Sequence, residues 1–172
     1  MFRRILVFGA LVTAPAIAQE NANFEFMTFN TAQAYSGEVL IAGKKCKLKG
    51  AGEETCNRFA GAVVGTVQVL NLTANFNNGR FFAITGTTFN PYYTDLKNAF
   101  VAKYGQPTAT DRTPWQNQLG ATFENEVAKW VFADGILELR ARGRRRDETR
   151  FTFIANDNVP ERFKSKDQPV NF

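Results

Sequence analysis

NNGRFFAITGTTFNPYYTDLKNAFVAKYGQP, Asn77 to Pro107, changes its hydrophobic period once, and that change decides the fold. Asn78-Gly79 tolerates the positive φ angles of a type I′ turn, so it joins two strands as a hairpin. Arg80 to Phe89 is the returning strand. From Asn90 the apolar spacing becomes three and four, with Tyr93, Leu96, Phe100 and Tyr104 in one stripe and Ala99 and Val101 beside it. Asn90 is a good N-cap, Pro91 fits the first helical position, and Asp95 and Lys103 suit the two ends of the helix dipole. Gly105 supplies a left-handed C-terminal residue and Pro107 blocks continuation. The spacing predicts a helix over about 91–104.

Upstream, AGAVVGTVQVLNLTANF (Ala60–Phe76) alternates Val67, Val69 and Asn71 with Gln68, Leu70 and Leu72, which suits one long strand with a bend or bulge at Gly65. Glu38–Ala42 reads as a strand. Residues 19–36 carry Phe24, Phe26 and Phe29 without a sustained period, so they form a loosely docked arm or one short strand. Downstream, Thr108–Gly120 is a polar connection containing Pro114 and Trp115. Three strands follow: Thr122–Ala133 with Ala128, Trp130 and Phe132 inward, Ile136–Arg142, and Arg150–Ala155, the first two joined by a turn at Asp134-Gly135. Strands, one helix and then a meander make an α+β fold, a largely antiparallel sheet of about five to six strands with the helix on one face. The expected organisation is a signal peptide at 1–18, an arm at 19–36, one α+β domain at 37–156 and a flexible tail at 157–172.

The signal peptide is read from basic Arg3 and Arg4, an apolar run from Ile5 to Val12, and the small-residue ending Ala16-Ile17-Ala18. That run is shorter than the roughly 20 residues a membrane-spanning helix needs, and no later run is long enough. The chain therefore reads as exported to the periplasm and not membrane-spanning. Cleavage after Ala18 lowers Lys plus Arg from 21 to 19 against 16 Asp plus Glu, leaving +3. The remaining ~150 residues suffice for one domain with its own core. Cys46 and Cys56, the only cysteines, are expected to pair as a structural disulfide in an oxidising compartment. Their nine-residue spacing is not that of a redox pair.

The inventory of catalytic groups is short. Without histidine, a serine or cysteine nucleophile lacks its commonest base and a zinc site lacks a common ligand. No phosphate-binding glycine loop or dinucleotide fingerprint occurs, so no cofactor and no metal are expected. Glu124 and Glu126, two apart on one strand, are the pair on which a carboxylate-based hydrolase would rest. Solvation of an exposed edge is the preferred reading, because paired catalytic acids normally come from separate elements across a cleft.

RARGRRRDETR (Arg140–Arg150) is the densest charge cluster. Alternation puts Arg140 and Arg142 on an outer strand face and Arg144, Arg145 and Arg146 at a turn, where Asp147 and Glu148 can pair with them locally. Export removes nucleic acid as a partner, whereas an acidic protein or an anionic envelope component fits a basic hairpin tip. A solvated loop that protects strand edges is the plain alternative. Trp115, after Pro114 in a polar loop, is either an interface anchor or the plug of a local cluster.

The Cys46–Cys56 pair, the strands joined at Asn78-Gly79, the helix ending Lys103-Tyr104-Gly105-Gln106-Pro107, and the Trp130 strand followed by Asp134-Gly135 resemble a loose group of small exported proteobacterial proteins of unassigned function. The resemblance covers roughly residues 38–155 and implies no catalytic residues. The helix-plus-meander order is also similar to the fold of the small outer-membrane assembly lipoprotein and beta-lactamase inhibitor proteins, although the lipid-modified cysteine of the former has no counterpart here. The leading expectation is a non-enzymatic periplasmic binding or accessory protein. Its rivals are an inhibitor or immunity protein against an exported hydrolase or toxin, and a carboxylate-based hydrolase.

Overall fold

The hairpin at Asn78-Gly79 and the helix that follows it are the centre around which the remaining elements assemble. The structure, a computed structural model, describes residues 22–57, 61–117 and 119–164, so the signal-peptide reading lies outside it. Seven strands form one antiparallel sheet: β1 (Glu53–Cys56), β2 (Asn71–Asn77), β3 (Arg80–Phe89), β4 (Ala109–Arg112), β5 (Glu126–Phe132), β6 (Gly135–Arg140) and β7 (Glu148–Ala155). Their spatial order is β4-β5-β6-β7-β3-β2-β1. The fold is α+β, and the sheet is larger than the expected five to six strands. The additional strands are its edges. β4 arises within the segment expected to be a polar connection and β1 within the disulfide loop. All four β4 residues are exposed, so no buried face imprints an apolar alternation on its sequence.

Asn78 and Gly79 take φ +50° and +73° in a two-residue turn that pairs Asn77 with Arg80, the primed geometry expected of Asn-Gly. A 3-10 turn at Asn90–Tyr92 leads into α1 (Tyr93–Tyr104). Asn90 does not cap it. Its Nδ2 instead donates to the Ala141 carbonyl at 2.5 Å, since the approach of the β6–β7 loop offers a carbonyl there. Gly105, at φ +82°, ends the helix by donating its N–H to Val101 O at 2.8 Å.

The long strand expected over Ala60–Phe76 is interrupted. Ala62–Val64 and Val67–Val69 form a tight hairpin of their own, and the alternation changes phase at Leu70 before β2 begins. Gly65, at φ +60°, lies in its turn, where a Cβ would collide with Ala99 of α1. Two further expectations shift. The turn after β5 is Ala133-Asp134, because Phe132 pairs with Gly135. The Thr122–Ala133 strand breaks at Glu124-Asn125, leaving Thr122–Phe123 to pair with Trp115–Gln116.

One sheet face is covered by α1, the 62–69 hairpin and the N-terminal segment. Phe24, Phe26 and Phe29 are buried there among Phe100, Trp130, Phe151 and Phe153. Beyond Asn156, Asn158 exchanges hydrogen bonds with Asn77, and the Phe163 ring packs edge-on against Phe82 at 5.2 Å. Cys46 and Cys56 form a disulfide with Cα atoms 6.0 Å apart, tying the Gly37–Leu48 hairpin to the end of β1. No helix among the described residues is long and apolar enough to cross a membrane.

Candidate binding surface

The arginine loop has a scaffold of backbone hydrogen bonds. β6 ends at Arg140, two residues earlier than the expected Arg142, and the chain re-enters the sheet at Glu148. Gly143 N–H donates to Glu148 O at 2.6 Å, and Arg144 N–H donates to the Glu148 carboxylate at 3.1 Å. Ala141 N–H donates to Glu126 O, while the buried Thr149 hydroxyl donates to Ala141 O at 3.0 Å. The loop is therefore bolted to β5 and β7.

The five arginines divide by what they touch. Arg140, on the outer face of the sheet, pairs with Glu138 two residues earlier on that face. Arg142 is half-buried and holds the loop together. Its N–H donates to Asn125 Oδ1 and its guanidinium to the carbonyls of Glu124 and Arg146, each at 2.7 Å. Arg142 and Arg146 also lie over the Phe123 ring, at 5.3 and 4.8 Å. Arg144, Arg145 and Arg146 are exposed, and among the described residues no carboxylate pairs with them. The expected local ion pairs with Asp147 and Glu148 do not form; the Glu148 carboxylate accepts a loop backbone N–H instead. An exposed guanidinium without a carboxylate remains available to an external anion.

Phe123 joins this loop to Trp115. The Trp115–Gln116 and Thr122–Phe123 strands bring the two rings to 5.9 Å, so Trp115, Phe123, Arg142 and Arg146 make one continuous patch. Asn117 shapes the connecting turn by accepting the N–H groups of Leu119 and Ala121 on Oδ1, at 3.0 and 2.8 Å. Leu119 stands 93% exposed at its tip. Beneath the hairpin is a concavity of about 270 Å³ whose floor is Val127, Lys129, Glu138 and Arg140 and whose walls include Asp111 and Trp115. Trp115 thus forms a local cluster with Phe123 on one side and lines the concavity on the other.

Both sequence candidates, the arginines and Trp115, converge on this surface. What the sequence leaves hidden is Phe123. Its only advance signal is an aromatic beside the Glu124-Asn125 break.

Glu124 and Glu126 do not share a strand, because Asn125 lies in the break between them. Glu124 is exposed, whereas Glu126 accepts Lys97 Nζ at 2.5 Å and the Tyr93 hydroxyl at 2.8 Å on one oxygen. Lys97, then Tyr93, hold the Glu126 carboxyl below the ordinary carboxylate range, against the opposing effect of partial burial. Burial, and then Glu126 itself, push the Tyr93 phenol up. Because the folded pKa of Glu126 is depressed, its stabilisation is present above the unfolded carboxylate value, about 4.3, and is lost as pH falls through the folded value. Glu126→Gln is therefore expected to destabilise the protein at pH 7 and to differ progressively less from the parent on acidification. Urea titrations of both proteins at neutral and acidic pH check this; a gap that stays constant would refute it.

Comparison with protein-family models, with curated proteins and with solved structures finds no match to this chain.

Proposed function

We propose that the chain is an exported, non-enzymatic binding protein that engages an anionic component of the cell envelope through the Arg140–Arg146 loop and the Trp115 hairpin. One observation carries this reading. Arg144, Arg145 and Arg146 are held on a bolted loop without carboxylate partners among the described residues, beside an accessible tryptophan. A loop serving only to solvate the sheet edge needs no such scaffold. Unpaired guanidiniums on an ordered loop meet an anion with little further loss of conformational freedom. Export is supported by the leader-like residues 1–18 and by the Cys46–Cys56 disulfide.

The reading is tested by co-sedimentation of the purified protein with an envelope fraction across a salt series. Wild type should bind and be released as salt rises. Changing Arg144, Arg145 and Arg146 to serine should weaken binding about tenfold or more, given roughly 0.5–1 kcal/mol for each exposed charge. Unchanged binding would sink the proposal. The exposed Leu119 at the tip of the Trp115 hairpin favours a second reading, an inhibitor or immunity protein against an exported hydrolase or toxin, since tryptophan is enriched among interface hot spots and Leu119 adds exposed apolar area to the same hairpin. Under that reading Leu119→Asp abolishes capture of the partner, whereas envelope binding through the arginines is indifferent to it.

A further inference from the structure

We infer that the concavity beneath Trp115 is a subsite for a sugar ring, so that the anionic component bound by this surface is an acidic saccharide. This rests on the anionic reading above and names its ligand class. The charges around the concavity come in matched pairs. Lys129 lies 3.3 Å from Asp111, and Arg140 pairs with Glu138, giving two cations and two carboxylates. A simple anion entering here meets as much repulsion as attraction. An apolar ligand would strip water from four charged groups and return nothing to them.

A polyhydroxylated ring fits these constraints. Each hydroxyl both donates and accepts, so it can replace water at an ammonium, a guanidinium or a carboxylate alike. The C–H face of the ring carries partial positive charge and suits the negative face of the Trp115 indole. Asn125 supplies a further donor. It is 7% exposed, its Oδ1 accepts from Arg142 N–H, and its Nδ2 donates to no acceptor among the described residues. A buried amide N–H group without an acceptor marks a position where a ligand or water is expected. The floor is fixed by register. Lys129 faces Glu138, and Val127 faces Arg140, across neighbouring strands, so the polar groups sit on rigid elements.

The volume admits one ring rather than a chain, since it falls just below the roughly 300 Å³ at which ligand sites begin. The rest of the saccharide must leave over the surface. Phe123, in contact with Trp115, Arg142 and Arg146, leads toward the guanidiniums of Arg144, Arg145 and Arg146, which have no carboxylate partner among the described residues and would take carboxylate or phosphate substituents on neighbouring rings.

The test uses the full chain and three polymers matched in length: alginate, a polyuronate with a carboxylate on each pyranose; polyglutamate, with the same carboxylate on a peptide backbone; and neutral dextran. Trp130 is 0% exposed, so changes in tryptophan emission on binding report Trp115. Alginate is expected to bind and alter that emission, and Trp115→Ala to weaken alginate about tenfold while leaving any polyglutamate binding unchanged. Asp111→Asn, on the exposed edge strand, removes an acceptor and a negative charge without touching packing. It should weaken alginate and not polyglutamate, whereas a ligand held by charge alone would bind more tightly. Arg144, Arg145 and Arg146 changed together to serine should weaken alginate and any polyglutamate binding alike. If alginate and polyglutamate bind equally and neither Trp115→Ala nor Asp111→Asn separates them, the saccharide inference fails and the anionic reading survives. If neither polymer binds, the saccharide inference fails, and the envelope co-sedimentation decides the anionic reading.

Discussion

Replacing Phe24 with alanine is expected to lower the unfolding free energy by about 3–5 kcal/mol, the usual range for truncating a fully buried phenylalanine. Phe24 is 0% exposed although it belongs to a polar, aperiodic segment. Its ring stacks on Phe153, meets Phe132 edge-on at 5.2 Å and lies 5.7 Å from Tyr104, so it links the centre of the sheet to the end of α1. The backbone around it is equally tied. Phe24 N–H donates to Asp134 Oδ1 at 2.7 Å, and the Thr31 hydroxyl donates to the other oxygen of that carboxylate at 2.5 Å. The void left by alanine adjoins rigid strands on one side and a helix end on the other, so it cannot collapse at low cost. Urea denaturation monitored by far-UV circular dichroism measures the effect, with exposed Asn23→Ala as the near-neutral control. A loss below about 1 kcal/mol would mean that the segment is only peripherally docked.

That segment shows what a sequence transmits poorly. Phe24, Phe26 and Phe29 alternate with polar residues over a stretch too short for periodicity to carry weight, and their burial depends on a cavity that other elements enclose. Where local physics dominates, the reading holds. Asn78-Gly79 makes its turn because few dipeptides tolerate two positive φ angles, and the helix ends where Gly105 permits it. The edge strands β1 and β4 escape because polar, exposed residues leave no pattern. The same division applies to the binding surface. The arginine density was legible, but its partition was not, because it depends on Glu148 accepting backbone N–H groups and on Phe123 lying under two of the guanidiniums. Convergence of Trp115 on Arg140 likewise requires the 115–123 hairpin to fold over β5 and β6, a tertiary event without a local signal.

Trp130→Ala is expected to cost about 3–5 kcal/mol as well, and Trp130→Phe about 1–2 kcal/mol; the difference between them separates packing from hydrogen bonding. The indole is 0% exposed on β5, meets Phe100 of α1 edge-on at 5.8 Å, and donates Nε1–H to Gly105 O at 2.9 Å. Gly105 is the residue at which α1 stops, so this bond fastens the helix terminus to the sheet and satisfies a carbonyl that the helix leaves open. Phenylalanine keeps an aromatic edge against Phe100 but orphans that carbonyl. Alanine also opens a void between helix and sheet. The consequence extends to the binding surface, since β5 carries Val127 and Lys129, the floor of the Trp115 concavity, on the opposite face from Trp130. A Trp130→Phe protein that remains folded at room temperature should therefore retain the concavity, and its remaining tryptophan emission comes from Trp115 alone. Urea titrations of the three proteins give the stability differences. Equal losses in both variants would show that the hydrogen bond to Gly105, rather than the volume of the indole, dominates.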